Sequence, residues 1–245
     1  MELVKTTEEV ICRCGKCMSR CVFPYEDTPD EPRLASISSD TLNIVLACPH
    51  TPRQPAVIFV GGFLDTMHCK MLVLAEQYST QNPQQDVWYV TYGSEKSLRK
   101  IITAYNRDTK KVILTGHSWG GDMAAYTLVN NPSLHVDLLL TLDPVSKKGA
   151  PVKTVNMGQW VNIFVDYKLS RLSKSNLLAI IGGHWENAER ADVNITQQEW
   201  GEAPSNSGVK KLQDLHHADI RWMFNCKQLR PHWLEVLPET DFRQP

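Results

Sequence analysis

Ser118 is the residue whose surroundings point most directly to chemistry. It is the centre of Gly116-His117-Ser118-Trp119-Gly120, which fits the pattern G-x-S-x-G. A serine on a tight turn between a strand and a helix presents its hydroxyl, and the amides that begin the helix face any negative charge that develops beside it. A plain glycine-rich turn has the same composition, so the flanking elements decide. With a strand before it and a helix after it, the motif predicts a nucleophilic serine.

A serine nucleophile requires a base, and the chain offers eight histidines. His216 and His217, in "LHHADI", come after the last predicted strand and before the last predicted helix. A loop at that place overhangs the carboxyl edge of a parallel sheet, where Ser118 is expected. His184, in "GGHWEN", is a less direct alternative.

The acid that orients the base has two candidates. Asp143 directly follows the apolar run "DLLLTL", and Asp166 directly follows "WVNIFV" one strand later. Both residues emerge at the carboxyl end of a predicted strand, which is the edge where the triad members of such sheets meet. Asp219 is too close to His217 in sequence to orient it. The residues alone leave Asp143 and Asp166 open.

Two backbone amides are expected to bind the oxyanion that nucleophilic attack creates. One is the N–H of Trp119, the residue after the nucleophile. The other comes from "VGGFLD" at 60–65, where Gly61 and Gly62 let the backbone approach a substrate and Phe63, or alternatively Leu64, donates. The loss of one such donor costs about 3–4 kcal/mol of transition-state stabilisation.

The elements that must position these residues are short strands alternating with helices. In "SEKSLRKIITAY" the apolar residues follow the spacing of one helix face, and Ser94 is the predicted N-cap. The helix after Ser118 is predicted to stop near Pro132, and "IRWMF" at 220–224 is predicted to begin a closing helix. Strands are predicted at 42–48, 56–60, 86–92, 110–116, 136–142, 160–165 and 192–196, and a further helix over 68–78.

This alternation predicts an α/β fold with a mostly parallel sheet covered by helices on both faces. We expect one α/β domain over residues 40–245, and residues 1–39 as a cysteine-rich extension rather than a separate domain. The loops richest in turn residues fall at 144–159 and 198–209. The stretches 144–159 and 168–190 carry apolar residues among lysines, which suits either a lid over an acyl chain or an ordinary solvated loop.

Four of the seven cysteines lie within ten residues, at Cys12, Cys14, Cys17 and Cys21. Four thiols are enough ligands for Zn²⁺, but structural zinc sites more often consist of two separated pairs. We therefore favour the interpretation that these cysteines are packed or free thiols. A zinc site is the second interpretation, and disulfides are the third. The other cysteines, Cys48, Cys69 and Cys226, are predicted to be small buried side chains.

Charge and hydropathy exclude several classes of protein. The formal net charge is −1, which provides no basic field for a nucleic acid backbone. The apolar runs are too short to span a bilayer, and "MELVKTTEEV" has no positive segment followed by an apolar one. We therefore expect a cytoplasmic protein by default, with export by a route other than Sec as the alternative.

The segment "VILTGHSWGGDMAAYTL", preceded by "VIFVGGFLD" and followed by "LLLTLDPV" and "HHADI", resembles the α/β-hydrolase superfamily, particularly its lipase and esterase branch. The resemblance covers roughly residues 40–226. It implies a Ser118–His217–Asp143 triad with Phe63 and Trp119 as oxyanion donors, and it favours His217 over His216 and Asp143 over Asp166. One departure is "GG" where many relatives carry "HG" before the oxyanion residue.

The resemblance implies a serine hydrolase of carboxylic esters, with lipid esters as substrates, an acyl-serine intermediate, no cofactor and transient contact with a membrane surface. A thioesterase or acyltransferase would use the same residues, and a non-catalytic α/β-hydrolase relative that binds a ligand is the alternative of another class. A narrower form of the hypothesis is a bacterial phospholipase toxin delivered to neighbouring cells, which would add a delivery or immunity partner.

Overall fold

The computed structural model describes residues 6–11, 17–22, 44–45, 55–63, 65–82, 85–186, 188–199 and 211–237. The first two strands, β1 (Thr6–Ile11) and β2 (Cys17–Val22), pair antiparallel in a sheet of their own. Cys17 and Cys21 belong to β2, whereas Cys12, Cys14 and the predicted boundary between residues 39 and 40 lie outside the described residues. Within the described ranges no group of three His, Cys, Asp or Glu residues could hold a metal ion.

The centre of the molecule is a seven-stranded sheet in the order β3-β5-β4-β6-β7-β8-β9. Strand β3 pairs antiparallel with β5, and all other neighbours are parallel. The strands are β3 (Ile44–Val45), β4 (Ala56–Gly61), β5 (Asp86–Thr91), β6 (Val112–His117), β7 (Val136–Leu142), β8 (Met157–Phe164) and β9 (Val193–Thr196). Strands β4 and β6 are buried throughout, as expected for parallel strands that are covered on both faces.

Helices cover both faces of the sheet. They are α1 (Asp65–His68), α2 (Lys70–Gln81), α3 (Glu95–Arg107), α4 (Trp119–Asn130), α5 (Lys174–Gly182), α6 (Ile220–Phe224) and α7 (Leu229–Val236). Val57 and Phe59 of β4 share one core with residues of α2, α6 and α7, whereas Ile58 and Val60 share the other with residues of α3 and α4. The alternation of β4 side chains thus divides the interior into two apolar layers. Within the described part of the chain no helix is long and apolar enough to cross a membrane.

Two helices differ from the sequence prediction. The helix at "IRWMF" ends at Phe224, and α7 begins at Leu229 as a separate helix. Pro231 explains the break, because proline lacks an N–H and is tolerated only in the first turn of a helix. Helix α5 lies in a stretch predicted as loop or lid. Its ends carry recognisable signals, since the Ser173 side chain accepts a hydrogen bond from Asn176 N and Gly183 adopts the left-handed conformation.

Smaller predictions have mixed outcomes. Ser94 precedes α3 but makes no side-chain cap, and its hydroxyl instead lies 2.9 Å from Oγ1 of Thr91. Cys69 and Cys226 are buried free thiols, as predicted, and Cys48 lies outside the described residues.

Candidate active site

Ser118 occupies a strained position at the carboxyl end of β6. Its φ of 55° and ψ of −128° lie in a region that residues with a side chain rarely adopt, and helix α4 begins at the next residue. Ser118 N donates to Leu142 O at 3.1 Å, and Val145 N donates to Ser118 O at 3.2 Å. The turn is therefore tied to the segment after β7, and this arrangement is the strand-to-helix turn that the sequence motif predicted.

The glycines of the motif are required by close packing. A Cβ added at Gly116 would lie 2.5 Å from Gly120 O, and one added at Gly120 would lie 2.4 Å from Val60 O. Neither position has room for a side chain, so strand and helix approach only with glycine at both. The residues two positions before and two positions after Ser118 must therefore both be glycine.

His217 and Asp143 form a buried pair. The Nδ1 of His217 lies 2.6 Å from Oδ2 of Asp143, whose side chain is fully buried. The other carboxylate oxygen accepts from Val165 N at 3.0 Å, and the Tyr167 hydroxyl donates to Oδ2. Burial alone raises the pKa of Asp143, but the hydrogen bond and charge of His217, with the hydrogen bonds of Tyr167 and Val165, outweigh it and lower the pKa. Asp143 is thus held as a carboxylate.

The backbone of His217 is fixed on both sides. Its N–H donates to Oδ1 of Asn176, a buried residue of α5, at 2.9 Å. Its carbonyl accepts from Nε2 of His117 at 2.9 Å, and the two imidazole rings lie 4.6 Å apart. Burial, followed by the proximity of His217, lowers the pKa of His117 to about 3, so this ring is neutral and donates from Nε2. Because His117 immediately precedes Ser118, the contact brings the His217 loop to the nucleophile turn.

The alternative residues are engaged elsewhere. The Oδ1 of Asp166 accepts from Lys168 N at 2.9 Å, and Asp166 N donates to Oε1 of Gln197 at 2.7 Å. Nδ1 of His216 lies 3.5 Å from Oδ2 of Asp219. His184 packs edge-on against Tyr167, with the ring centroids 4.5 Å apart. The structure therefore brings His217 together with Asp143 and not with Asp166.

The two predicted oxyanion donors flank Ser118. Trp119 is the first residue of α4, and Phe63 follows Gly62 in the loop after β4. A Cβ added at Gly62 would lie 2.8 Å from Cβ of Ser118 and 3.4 Å from its Oγ, so this loop contacts the nucleophile directly. Leu64, the alternative donor, lies outside the described residues.

Asp65, which the sequence reading did not single out, anchors this loop. Its Oδ1 accepts from Met71 N at 2.8 Å, and its Oδ2 accepts from the Tyr89 hydroxyl at 2.6 Å. Burial is the largest influence on the pKa of this carboxyl and raises it, although these hydrogen bonds act in the opposite direction. Asp65 lies four residues after the end of β4. That position in the sequence does not distinguish a carboxylate that anchors a loop from one exposed at the surface.

Three aromatic rings surround the loop and the nucleophile turn. The Phe63 centroid lies 5.1 Å from that of Trp119 and 5.8 Å from that of Tyr92, and Tyr92 lies 5.7 Å from Trp119. Phe63 is 51% exposed and Trp119 is 40% exposed. We call these three residues the aromatic rim, and it places apolar surface in solvent directly beside Ser118.

No family model and no curated protein sequence matches the chain. Among solved structures, a Xanthomonas campestris protein described as an α/β serine hydrolase without a lid is similar over 79% of this chain and 87% of its own, with 15% identity and a TM-score of 0.43. A similarity this low does not assign the fold, so the fold is assigned from the topology of the sheet.

That topology is specific. It combines three features. An antiparallel strand forms one edge, and the six parallel strands follow with β4 and β5 exchanged relative to their order in the chain. A strained serine follows the central strand, β6. The mostly parallel sheet with helices on both faces confirms the fold class that the sequence predicted. The chain has the α/β-hydrolase fold.

Proposed function

We propose that the chain is a serine hydrolase of carboxylic esters that works through an acyl-serine intermediate. The observation that supports this most strongly is the buried contact of 2.6 Å between His217 and Asp143 at the same sheet edge as the strained Ser118. A nucleophile, a base and an orienting acid are the requirements of this chemistry, and the chain order Ser, Asp, His is the one typical of this fold.

In the first half of the reaction, Nε2 of His217 takes the Ser118 proton while Oγ attacks the ester carbonyl carbon. Asp143 fixes the tautomer with the proton on Nδ1 and stabilises the imidazolium that forms. The C–O bond to the alcohol then breaks, and the imidazolium gives its proton to the leaving alkoxide. The product is an ester between the acyl group and Ser118.

In the second half, His217 removes a proton from water as the water oxygen attacks the acyl carbonyl carbon. The bond between that carbon and Oγ of Ser118 then breaks, the imidazolium returns the proton to Oγ, and the carboxylic acid leaves. The oxyanion of both steps accepts hydrogen bonds from the N–H groups of Trp119 and Phe63, with Leu64 as the alternative to Phe63. Apart from the attacking water, each step uses only side chains and backbone amides of this chain, so the proposed mechanism requires no metal or organic cofactor.

Lipid esters are the substrates that the surface beside Ser118 favours. The aromatic rim provides exposed apolar contact area for an acyl chain. A bacterial toxin that attacks phospholipids is a narrower form of the same proposal, and it would require a delivery or immunity partner.

Two alternatives use the same fold. A thioesterase or acyltransferase would share the triad and differ in the leaving group or in the acceptor. A binding module without catalysis would have no need for the hydrogen bonds that fix both the backbone and the ring of His217, and those hydrogen bonds favour the catalytic alternative.

The test is hydrolysis of a graded panel: p-nitrophenyl esters of increasing chain length, a monoacylglycerol, a phosphatidylglycerol and an acyl thioester. We expect turnover of oxygen esters that Ser118→Ala abolishes, with kcat/KM rising with chain length. Thioester turnover that exceeds ester turnover would move the assignment to a thioesterase. No turnover of any member by folded protein would support the binding module.

A further inference from the structure

Helix α5 presents an apolar surface to solvent beside the candidate active site. Leu177, Leu178, Ile180 and Ile181 are each between 42% and 64% exposed, and we call these four residues the α5 face. The helix side that faces the protein carries Asn176 and Ala179 instead, which are buried. Large apolar residues therefore lie on the outward side of this helix, where polar residues are usual.

The α5 face is continuous with the aromatic rim. A Cβ added at Gly182, the last residue of α5, would lie 3.5 Å from Nε1 of Trp119. Leu172, 75% exposed, extends the apolar surface beyond the other end of the helix. Asn176 links the same helix to the backbone of His217 at 2.9 Å. The exposed apolar surface therefore runs from the residues before α5 to the turn that carries Ser118.

Basic residues lie at both ends of the helix. Lys147 and Lys148 are exposed beside Gly183, and three more cations precede or begin α5: Lys168, Arg171 and Lys174. Lys168 lies 3.8 Å from Glu186, and Arg171 lies 2.9 Å from Asp214. Lys147, Lys148 and Lys174 are exposed, so the apolar surface has a cation near each end although the net charge of the chain is −1.

We propose that the α5 face and the aromatic rim bind a lipid surface that carries anionic head groups. Apolar side chains that enter the acyl region and lysines that meet the head groups are the two components of interfacial binding. A second copy of the chain fits less well, because a symmetric pair would bring the same basic residues against one another. The inference deepens the proposed function, since a surface-bound enzyme would receive lipid esters directly beside Ser118.

The test measures flotation of full-length Ser118→Ala protein with vesicles, so that hydrolysis does not alter the lipid. We expect binding to vesicles containing phosphatidylglycerol at least about tenfold stronger than to phosphatidylcholine alone. Leu178→Glu combined with Ile181→Glu should weaken it by about tenfold or more. The matched control is Val155→Glu, a fully exposed apolar residue just before β8 at the opposite sheet edge, which should leave binding unchanged.

Three results would overturn the proposal. One is equal binding by the α5 variant and the Val155→Glu control. Another is a dimer in light scattering that the α5 variant dissociates without any effect on vesicles, which would assign the face to a second copy. The third is unchanged vesicle binding by the α5 variant together with a Tm several degrees lower. Such a loss of stability would mean that another segment of the chain packs on the α5 face and is disturbed by the new charges. Turnover of a short-chain ester by the wild-type protein is measured separately. If the ester is hydrolysed but the vesicles are not bound, this inference is wrong and the proposed function stands; if the ester is not hydrolysed, the proposed function fails.

Discussion

His217 donates from Nδ1 to Oδ2 of Asp143 at 2.6 Å, although the two residues are separated by 74 positions in the chain. The contact depends on the sheet edge, since Asp143 directly follows β7 and the His217 loop precedes α6. It also depends on Asn176 and His117, which hold the backbone of His217.

Asp143→Asn is expected to lower kcat by about 10⁴, because the amide favours the wrong tautomer of His217. Asp166→Asn is the matched control, since its carboxylate contacts Lys168 N, and its kcat should change by less than about tenfold. Steady-state kinetics on the best ester of the panel measures both. The reverse pattern, with the large loss in Asp166→Asn, would move the acid to the next strand.

Tyr167→Phe removes one of the three hydrogen bonds accepted by the buried carboxylate of Asp143. The free energy of unfolding should fall by about 1.5–3 kcal/mol, the usual contribution of a hydrogen bond to a charged group. The value of kcat should also fall, by less than in Asp143→Asn, because the Tyr167 hydroxyl helps to fix the carboxylate that orients His217. Lower stability with an unchanged kcat would assign Tyr167 a purely structural role.

His117 predicts a specific dependence of stability on pH. Its pKa is lowered from 6.5 to about 3 by burial, so the unfolded chain binds a proton that the folded chain excludes. Stability from this residue is complete above pH 6.5 and falls as the pH drops toward 3, with a slope of up to about 1.4 kcal/mol per pH unit. His117→Gln keeps a donor for the His217 carbonyl and should flatten that slope. Denaturant unfolding at several pH values compares the two, and parallel curves would contradict a neutral buried His117.

Gly62→Ala is expected to reduce kcat by about 10²–10³, because the oxyanion loop must retreat from Ser118. The added Cβ would lie 2.8 Å from Cβ of Ser118. Gly93→Ala provides the matched control, since nothing lies within 4 Å of a Cβ added there. Kinetics and thermal unfolding of both variants test this, and equal activities would argue against the Gly62–Phe63 segment as part of the site.

The sequence predicted the parts of the site that depend on local pattern. The β-branched runs, the alternation of strands and helices, and the motif around Ser118 led to the fold and to the residues after β4, β6 and β7. The supports of the site follow from tertiary packing instead. Tyr167, Asn176 and Asp65 act on residues distant in the chain or across the sheet, and no spacing in the sequence relates them to Asp143, His217 or Tyr89.

Helix α5 was missed for a different reason. Its run "LLAII" lacks the polar and apolar alternation that identifies an amphipathic helix, because its outward side is apolar and its inward side is small or polar. Ser173 and Gly183 marked its ends, and capping residues at that spacing were the available signal.

The central claim is that Ser118 is an activated nucleophile, and labelling with a fluorophosphonate followed by peptide mass spectrometry tests it most directly. We predict one stoichiometric adduct on Ser118, absent in His217→Ala protein that retains its fold, and present with or without detergent micelles. An unlabelled Ser118 in folded protein under both conditions, or equal labelling in His217→Ala, would contradict it.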